Sequence, residues 1–347
     1  MKKSSVFSVF LLALLIANPS FAQKTLKFKV IGQPSTTGLI QSQKEAPFFT
    51  NFKKNTKLPI EMSYVTVDAS KFQDTELLRA MKAGVLDIAS LRLSQISRDE
   101  ISILGLDLVG INPDYESAKK TVQEFSPYVD QRLQKEFGVK LLGVWPFGPQ
   151  IFFCKKPITG LVDIKGLKVR IADQGLAKFI YTLGGIPVPI AFDKMHQNLS
   201  LGTIDCVVTG SSSGNSARIP EVTTHYYPLG VQFAFNAYAI TLSAWNKMSR
   251  EQQIAFQTKI DAHVEDIWKY SEMLFIDASS CNIGKEPCTK GKKYKMINVP
   301  ISETDLALLN RATQEISFPN WADICDRNAR DCSMTWKETV GARLGVK

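Results

Sequence analysis

Histidine is scarce in this chain of 347 residues, which has three of them, and acidic residues are outnumbered by basic ones, 33 to 42. So few imidazoles argue against a metal centre built from several histidines. Hydrophobic residues make up 44% of the chain and charged residues 22%, which excludes a disordered composition. The formal charge of +9 is scattered along the sequence. We therefore predict small anionic partners and no nucleic-acid binding, which would need a clustered basic face.

Long apolar runs are also missing, because no stretch reaches the 18 residues that a membrane-spanning helix requires. The apolar run from Val6 to Ala17 follows Lys2 and Lys3 and precedes small residues that end at Ala22. This pattern is typical of an export signal, and a retained N-terminal anchor is the alternative. We predict a signal peptide over residues 1–22, cleaved after Ala22, and an exported mature chain that is not embedded in the membrane.

Six cysteines in an exported chain are expected to form disulfides, because the compartment is oxidising. We predict two local bridges, Cys281–Cys288 and Cys325–Cys332, each of which closes a short loop. A zinc site is the alternative, but its cysteines usually stand in closer pairs. Cys154 and Cys206 lie inside apolar, strand-like runs. We predict buried thiols there rather than a third bridge.

Short apolar runs alternate with helical patterns along the chain, which is typical of an α/β protein. The strand candidates are Thr25 to Ile31, Ile60 to Val67, Ile88 to Leu91, Lys140 to Trp145, Ile151 to Cys154, Leu167 to Ile171, Ile204 to Val208 and Phe233 to Leu242. A capping box that starts at Ser249 opens a helix that we extend to about Ala278. At 1.5 Å per residue that helix would be roughly 40 Å long, enough to span two domains.

The tract from Gly210 to Gly214 fits the G-x-S-x-G pattern of a serine-hydrolase nucleophile elbow and follows a predicted strand. Such an elbow must open a helix, whereas Pro220 follows closely and the residues between are poor helix formers. No feature of the sequence positions His225 or His263 as a base. An exported hydrolase using Ser212 therefore stays as an alternative to a turn whose hydroxyls and N–H groups bind a ligand.

Arg170 lies near the carboxyl end of a predicted strand, which is where ligands bind in open α/β sheets. A guanidinium there can hold a carboxylate through two parallel hydrogen bonds, and a structural ion pair is the alternative. Trp145 and Phe147 belong to a run of large apolar residues interrupted by proline and glycine. Such a run usually forms core, but it could place either ring at the wall of a pocket.

Four stretches carry a resemblance to a known family: Leu77 to Asp87, Asp163 to Arg170, Leu183 to Pro189 and Leu199 to Asp205. In these stretches the chain resembles the periplasmic solute-binding proteins of TRAP transporters, the DctP-type family. The resemblance implies an α/β clamp of two domains, with mixed sheets and a long helix that spans both. We expect domain I to comprise 23–147 plus 235–275, and domain II 148–234 plus 276–347.

The resemblance also implies a function: capture of one small organic anion in the periplasm and its delivery to TRAP transporter membrane subunits. It implies no cofactor, no metal and no enzymatic activity, and we expect a monomer. A module that senses a ligand for a signalling partner is a further alternative. Clamp closure would follow from ligand contacts that both domains make in the closed form.

The family's substrate-binding arginine falls on Arg170. Two departures bear on the ligand: Gln150 stands where many relatives have a second arginine, and Cys206 to Gly210 replaces the commoner G-Q-E-N-P. We therefore expect a monocarboxylate with an apolar or aromatic body. The remaining expected contacts lie at the ends of predicted strands and in the turns after them. They are Thr209, Ser211, Ser212, Asn215, Ser35, Thr36 and Arg92. For Arg92 the alternative is an ordinary surface charge without a ligand.

Overall fold

The computed structural model describes residues 25–346. The predicted signal peptide and its cleavage site therefore lie outside the described residues. Within that range no helix is both long and apolar enough to cross a membrane. The strands are β1 (Leu26–Gly32), β2 (Ile60–Thr66), β3 (Ile88–Arg92), β4 (Val139–Pro146), β5 (Gln150–Cys154), β6 (Lys168–Ile171), β7 (Ile186–Pro189), β8 (Cys206–Gly210), β9 (His225–Gln232), β10 (Phe235–Thr241) and β11 (Ile297–Asn298).

The helices lie between and after these strands. They are α1 (Ala46–Thr50), α2 (Phe52–Thr56), α3 (Leu77–Lys82), α4 (Leu93–Ile96), α5 (Tyr115–Phe137), α6 (Gln174–Thr182), α7 (Met195–Leu201), α8 (Ser211–Ser216), α9 (Leu242–Trp245), α10 (Arg250–Ile283), α11 (Glu303–Ala312), α12 (Phe318–Asn328), α13 (Cys332–Trp336) and α14 (Ala342–Leu344). Single turns of 3-10 or π helix connect several of them. The alternation of strands and helices confirms the predicted α/β class.

The strands form two mixed sheets. The first has the order β2-β1-β3-β10-β4 and the second has the order β11-β9-β5-β8-β6-β7. In the first sheet β1 is parallel to β2 and β3, whereas β10 runs antiparallel to its neighbours. The chain passes between the sheets from β4 to β5 and back from β9 to β10, through residues 147–149 and 233–234. Each domain is therefore built from segments that are far apart in the sequence.

Helix α10 connects the two domains. Its capping box at Ser249 forms as predicted, and its 34 residues continue five positions beyond the predicted end, a length of about 50 Å. Trp268 of this helix donates from Nε1 to the carbonyl oxygen of Val144 in the first domain, at 2.9 Å. Further along, Asn282 donates to the carbonyl oxygen of Ser211 in the second domain, at 3.3 Å. One continuous helix thus packs against both domains.

The C-terminal region differs from the domain limits expected above. Helix α11 packs its residues Leu309 and Ala312 into the core of the second domain. Phe318, Trp321 and Trp336, in contrast, are buried in the core of the first domain. The chain therefore returns to the first domain at about Phe318, so only part of the range 276–347 lies in domain II. Sequence patterns show that these aromatic residues are apolar, but not which of two cores buries them.

Disulfides join Cys281–Cys288 and Cys325–Cys332, the two pairs expected from their spacing. The prediction of free thiols at Cys154 and Cys206 is wrong, because these residues form a third bridge. They are 52 positions apart in the sequence but directly opposite each other in β5 and β8, with a Cα–Cα distance of 4.1 Å. Loop-closure entropy assigns about 4 kcal/mol of stability to this bridge and about 2.5 kcal/mol to each short one.

Candidate functional site

A cleft lies between the facing ends of the two sheets, beside the two chain crossings. An inner cavity of about 20 Å³ occupies its centre, which is roughly the space that one water molecule needs. Both domains line the inner cavity, the first through Leu93, Ser94 and Phe235 and the second through Gln150, Asp173 and Val208. Residues from both domains therefore meet at the carboxyl ends of strands such as β3 and β6, which is where α/β folds usually bind ligands.

Arg170, on β6, is only 6% exposed and does not itself line the inner cavity, although its hydrogen-bond partner Val208 does. Its Nε donates to the carbonyl oxygen of Ile190 at 2.8 Å and its Nη1 to that of Val208 at 3.2 Å. Neither partner is charged, and no carboxylate of the described residues lies within 4.0 Å of the guanidinium. Burial and, to a smaller extent, the nearby charge of Arg92 together lower the pKa of Arg170 to about 10, and the negative charge of Asp173 opposes this decrease. The structural ion pair considered as the alternative role is therefore not formed within residues 25–346.

Arg92, at the end of β3 in the first domain, has a different environment. Its guanidinium forms an ion pair with Asp74, while its Nε is buried without a hydrogen-bond partner among residues 25–346. Arg92 has a carboxylate within 4.0 Å, whereas Asp173 acts on Arg170 only from a greater distance, so the two cations are not equivalent. The charge that still needs a partner belongs to the second domain.

Thr209 lies on β8, the strand next to that of Arg170, and Gln150 lies on β5, one strand further along the sheet. Gln150 lines the inner cavity, and its Nε2 donates to the carbonyl oxygen of Gly148 at 2.9 Å. Thr209 is 3% exposed and follows Val207, the β8 residue that pairs with Arg170, by two positions. Side chains two positions apart on a strand share a face. Thr209 therefore lies on the same face of the sheet as Arg170.

The serines and the asparagine after β8 have separate roles in the structure. Ser211 joins a network of hydroxyls, with its Oγ 3.0 Å from the Tyr226 hydroxyl and 3.1 Å from Ser279 Oγ. Asn215 donates to Asn282 Oδ1 at 2.7 Å and to the carbonyl oxygen of Lys292 at 2.8 Å. Both residues hold α8 against neighbouring elements, and their side-chain polar groups form hydrogen bonds with other residues of the protein. Asn215 also lines the outer groove described next, whereas Ser211 lines neither cavity, so a ligand contact at either residue stays a prediction.

An outer groove of about 370 Å³ runs between the domains beside α10. Its lining includes Leu39 and Ile40 of the first domain, Ser212 and Ser213 of α8, and Leu274 and Ala278 of α10. Phe147, at the chain crossing, also lines it, whereas Trp145 is fully buried in the core of the first domain. The groove has the volume of a small-molecule site. Arg170 is not among its lining residues.

The expected contacts in the turn after β1 lie near this groove. Ser35 lines it, but its N–H and hydroxyl both donate to the carboxylate of Asp68, at 2.8 and 2.5 Å. Thr36 is exposed and lines neither cavity. Gln33, directly after β1, is completely buried, and its Nε2 donates to Ser90 Oγ at 3.0 Å and to Asn236 Oδ1 at 2.6 Å.

Asp107 and Asp173 are cleft residues that sequence reasoning missed. Asp107 accepts the backbone N–H groups of Phe233 and Ala234, at 2.7 and 2.8 Å, and thereby fixes one chain crossing. Burial raises the pKa of Asp107 to about 8; the N–H bond from Phe233 opposes this increase and the charge of Asp173 adds to it. Isolated aspartates in irregular segments carry no sequence signal that would reveal such a position.

The strand–turn–helix context of a nucleophile elbow does form, contrary to our reading of this tract, because α8 begins at Ser211 directly after β8. A base is not in place, however. His225 Nδ1 lies 2.8 Å from the hydroxyl of Thr224, and His263 is stacked on Phe48 in the first domain. Among the described residues no group of His, Cys, Asp and Glu is arranged to hold a metal ion either. The geometry gives Ser212 no catalytic partner.

Comparison with known proteins decides the family. A family model described as bacterial extracellular solute-binding protein, family 7, DctP, matches residues 40–274. The chain belongs to this family. The C4-dicarboxylate-binding periplasmic protein DctP of Rhodobacter capsulatus is 26% identical over 218 residues, which are 62% of this chain and 64% of that protein. The alignment thus spans just under two thirds of that relative's length, and its name is that of a binding protein rather than an enzyme.

Solved structures confirm the fold of this solute-binding protein. A TRAP periplasmic solute-binding protein from Desulfovibrio salexigens with bound orotic acid superposes with a TM-score of 0.78 at 14% identity, covering 92% of this chain and 99% of that one. DctP7 of Bordetella pertussis, an extracytoplasmic solute receptor binding pyroglutamic acid, has a TM-score of 0.75 at 16% identity, with 90% and 99% coverage. The predicted two-domain clamp is therefore correct.

Proposed function

We propose that this solute-binding protein captures a small organic monocarboxylate with an apolar or aromatic body in the periplasm. Clamp closure would hold the ligand between the two domains, and the TRAP transporter membrane subunits would receive it. One observation carries the proposal: the buried guanidinium of Arg170 lacks a carboxylate within 4.0 Å among residues 25–346. A buried charge is costly unless it is paired, and an anionic ligand supplies the missing partner.

The preference for one carboxyl group follows from the other groups at the cleft. Arg92 is already paired with Asp74, and the uncharged amide of Gln150 lines the inner cavity. A second carboxylate would find no free buried cation there and would approach Asp107 and Asp173. Orotic and pyroglutamic acids, which are named as ligands of the two structural relatives, each have one carboxyl group on a ring. These names support the ligand class without fixing its identity.

Calorimetric titration with matched pairs of ligands tests the proposal. Each carboxylic acid is compared with its primary amide, which has nearly the same shape but no charge. We expect the acid to bind at least a hundredfold more tightly, because only the acid pairs with the buried cation. The corresponding dicarboxylate should bind more weakly than the monocarboxylate. Equal affinities for acid and amide would contradict the proposal.

Delivery is a separate step with a separate test. Uptake of the bound carboxylate is measured in proteoliposomes that contain TRAP membrane subunits, with and without this protein. We expect uptake only when the protein is present. Mass spectrometry of the native protein, before any ligand is added, identifies a molecule that co-purifies with it.

A further inference from the structure

The outer groove is too large to be explained by the carboxylate alone. The inner cavity, at about 20 Å³, has room for little more than a small polar group, whereas the groove measures about 370 Å³. Its lining is apolar in large part, with Leu39 and Ile40 on one side, Leu274 and Ala278 on another, and Phe147 at the crossing. Apolar surface that a ligand covers contributes affinity in proportion to its area. The groove therefore offers space for the part of a ligand that the inner cavity cannot hold.

Gly210, the last residue of β8, lies beside residues that line the inner cavity and residues that line the outer groove. A Cβ atom added there would lie 3.3 Å from Gln150 Nε2, 3.6 Å from Ser213 Oγ and 3.7 Å from the carbonyl oxygen of Phe147. Gln150 lines the inner cavity, while Ser213 and Phe147 line the groove. The backbone of Gly210 has φ −63° and ψ 147°, which any residue can adopt. Glycine is thus not needed for the turn, but it leaves the space beside these residues free of a side chain.

The charges around the groove favour an uncharged ligand body. Asp277 lines the groove, but its carboxylate already accepts the N–H groups of Thr289 and Lys290, at 2.6 and 3.0 Å. At the rim, Arg218 and Lys292 both form ion pairs with Glu221. These charges are satisfied within the protein, whereas Lys290, which also lines the groove, is exposed and has no carboxylate within 4.0 Å among residues 25–346. The groove therefore presents apolar surface, the hydroxyls of α8 and one lysine.

We propose that the outer groove receives the apolar body of the ligand whose carboxylate pairs with Arg170. The ligand class is then a carboxylate with an extended apolar body, such as a medium-chain alkanoate or an arylalkanoate, rather than a compact acid of a few carbons. This inference rests on the proposed function, because it takes the carboxylate at Arg170 as its fixed end. Since both domains line the groove, such a body would also be enclosed when the clamp closes.

A chain-length series tests the inference. Butanoate, hexanoate and octanoate are titrated into the wild type and into Ser212→Phe, which places a ring in the groove from a half-buried position on α8. In the wild type we expect the affinity to rise about tenfold to a hundredfold from butanoate to octanoate. In Ser212→Phe the gain should disappear, so that octanoate binds no more tightly than butanoate. Ser63→Phe, at an exposed position on β2, is the matched control and should keep the whole gain.

A second variant covers the case in which Ser212→Phe does not fold. Leu39→Ser removes apolar surface from the opposite wall of the groove and should reduce the gain with chain length. If wild-type affinity is independent of chain length, or if the gain survives in both groove variants, the inference is wrong while the carboxylate site stands. If the wild type binds octanoate and octanamide equally well, the proposed function itself fails. The two failures are therefore distinguishable.

Discussion

The two domains satisfy their buried polar groups differently on the sides that enclose the cleft, which we call the first wall (first domain) and the second wall (second domain). In the first domain, Glu45 accepts hydrogen bonds from the Gln33 N–H at 2.6 Å, from Ser90 Oγ at 2.6 Å and from the Tyr64 hydroxyl at 3.0 Å. In the second domain, Arg170 donates only to carbonyl oxygens. The Glu45 carboxylate of the first wall is therefore satisfied without a ligand, although Gln33 Oε1 and Arg92 Nε of the same domain are buried without a hydrogen-bond partner among residues 25–346. The second wall leaves a charge that a ligand can neutralise. This difference predicts that the first wall supplies shape and the second supplies affinity.

Replacing Arg170 should have the largest effect on ligand affinity, because this residue supplies the unpaired charge of the second wall. Arg170→Ala removes the charge-assisted pair with the ligand and leaves the carboxylate without a partner in a desolvated site. We expect a loss of about 3–5 kcal/mol of binding free energy, or roughly two to four decades in Kd. Calorimetric titration measures this change. The ligand-free protein should lose much less stability, because Arg170 has no counter-ion to lose.

Two further variants control this result. Arg170→Lys keeps the charge without the planar fork, so it should recover only part of the affinity. Arg92→Ala removes a cation that is already paired with Asp74, and it should change Kd far less than Arg170→Ala. Affinity close to that of the wild type in Arg170→Ala would refute the carboxylate assignment.

The complementary experiment replaces Glu45 in the first wall and should affect stability rather than affinity. Glu45→Gln replaces an oxygen that accepts hydrogen bonds with an NH₂ group that cannot, so at least one buried donor loses its partner. We expect the free energy of unfolding to fall by about 1–3 kcal/mol, with Kd within about threefold of the wild type. Urea denaturation and titration of the same sample measure the two quantities. A large loss of affinity with unchanged stability would show that the first wall binds the ligand directly.

Sequence reasoning reached Arg170 because it lies near the carboxyl end of a predicted strand and in a motif that resembles the family's. It missed β9, His225–Gln232, which contains Pro228 and Gly230 and lacks a regular strand pattern. In the structure the pairing of β9 with β5 is irregular between Phe152 and Gln150, opposite these residues. A bulge accommodates proline and glycine in a strand. Local propensity cannot show a bulge that depends on a partner strand.

Long-range pairing explains the wrong prediction for Cys154 and Cys206 and the packing contacts that the sequence did not reveal. The Cys154–Cys206 bridge depends on the register of β5 and β8, and no local pattern specifies that register. The roles of Ser211 and Asn215 depend on α10 passing close to α8. These contacts are determined by the topology of the second domain, so the sequence revealed the residue types but not their partners.

The Asp107 carboxyl group bears on both walls, because it accepts the backbone N–H groups of Phe233 and Ala234, where the chain crosses between the two domains. Its pKa of about 8 in the folded protein lies above the ordinary value of 3.8, so the folded state retains its proton to higher pH than the unfolded chain. The contribution of this group to stability is therefore complete below about pH 4 and is lost as the pH rises towards 8. Asp107→Asn cannot ionise, so its stability relative to the wild type should increase from pH 5 to pH 8.

Thermal melting at several pH values measures this relative stability. Asp193→Asn, at an exposed position, is the matched control, and its difference from the wild type should stay nearly constant over the same range. A pH-independent difference for Asp107→Asn would mean that the carboxylate is ionised throughout and acts only as a hydrogen-bond acceptor for Phe233 and Ala234.

The smallest effect is expected at Ser212, on the second wall. Its hydroxyl lines the outer groove, and its backbone carbonyl accepts the hydroxyl of Ser216 at 2.9 Å. Ser212→Ala keeps that backbone bond and removes at most one neutral hydrogen bond to a ligand, so binding should weaken by no more than about 1–1.5 kcal/mol. Ser211→Ala is the contrasting variant, because it interrupts the hydroxyl network with Tyr226 and Ser279 and should lower stability instead of affinity. Esterase turnover in the wild type that disappears in Ser212→Ala would contradict the binding-protein assignment, since a catalytic serine supplies several decades of rate.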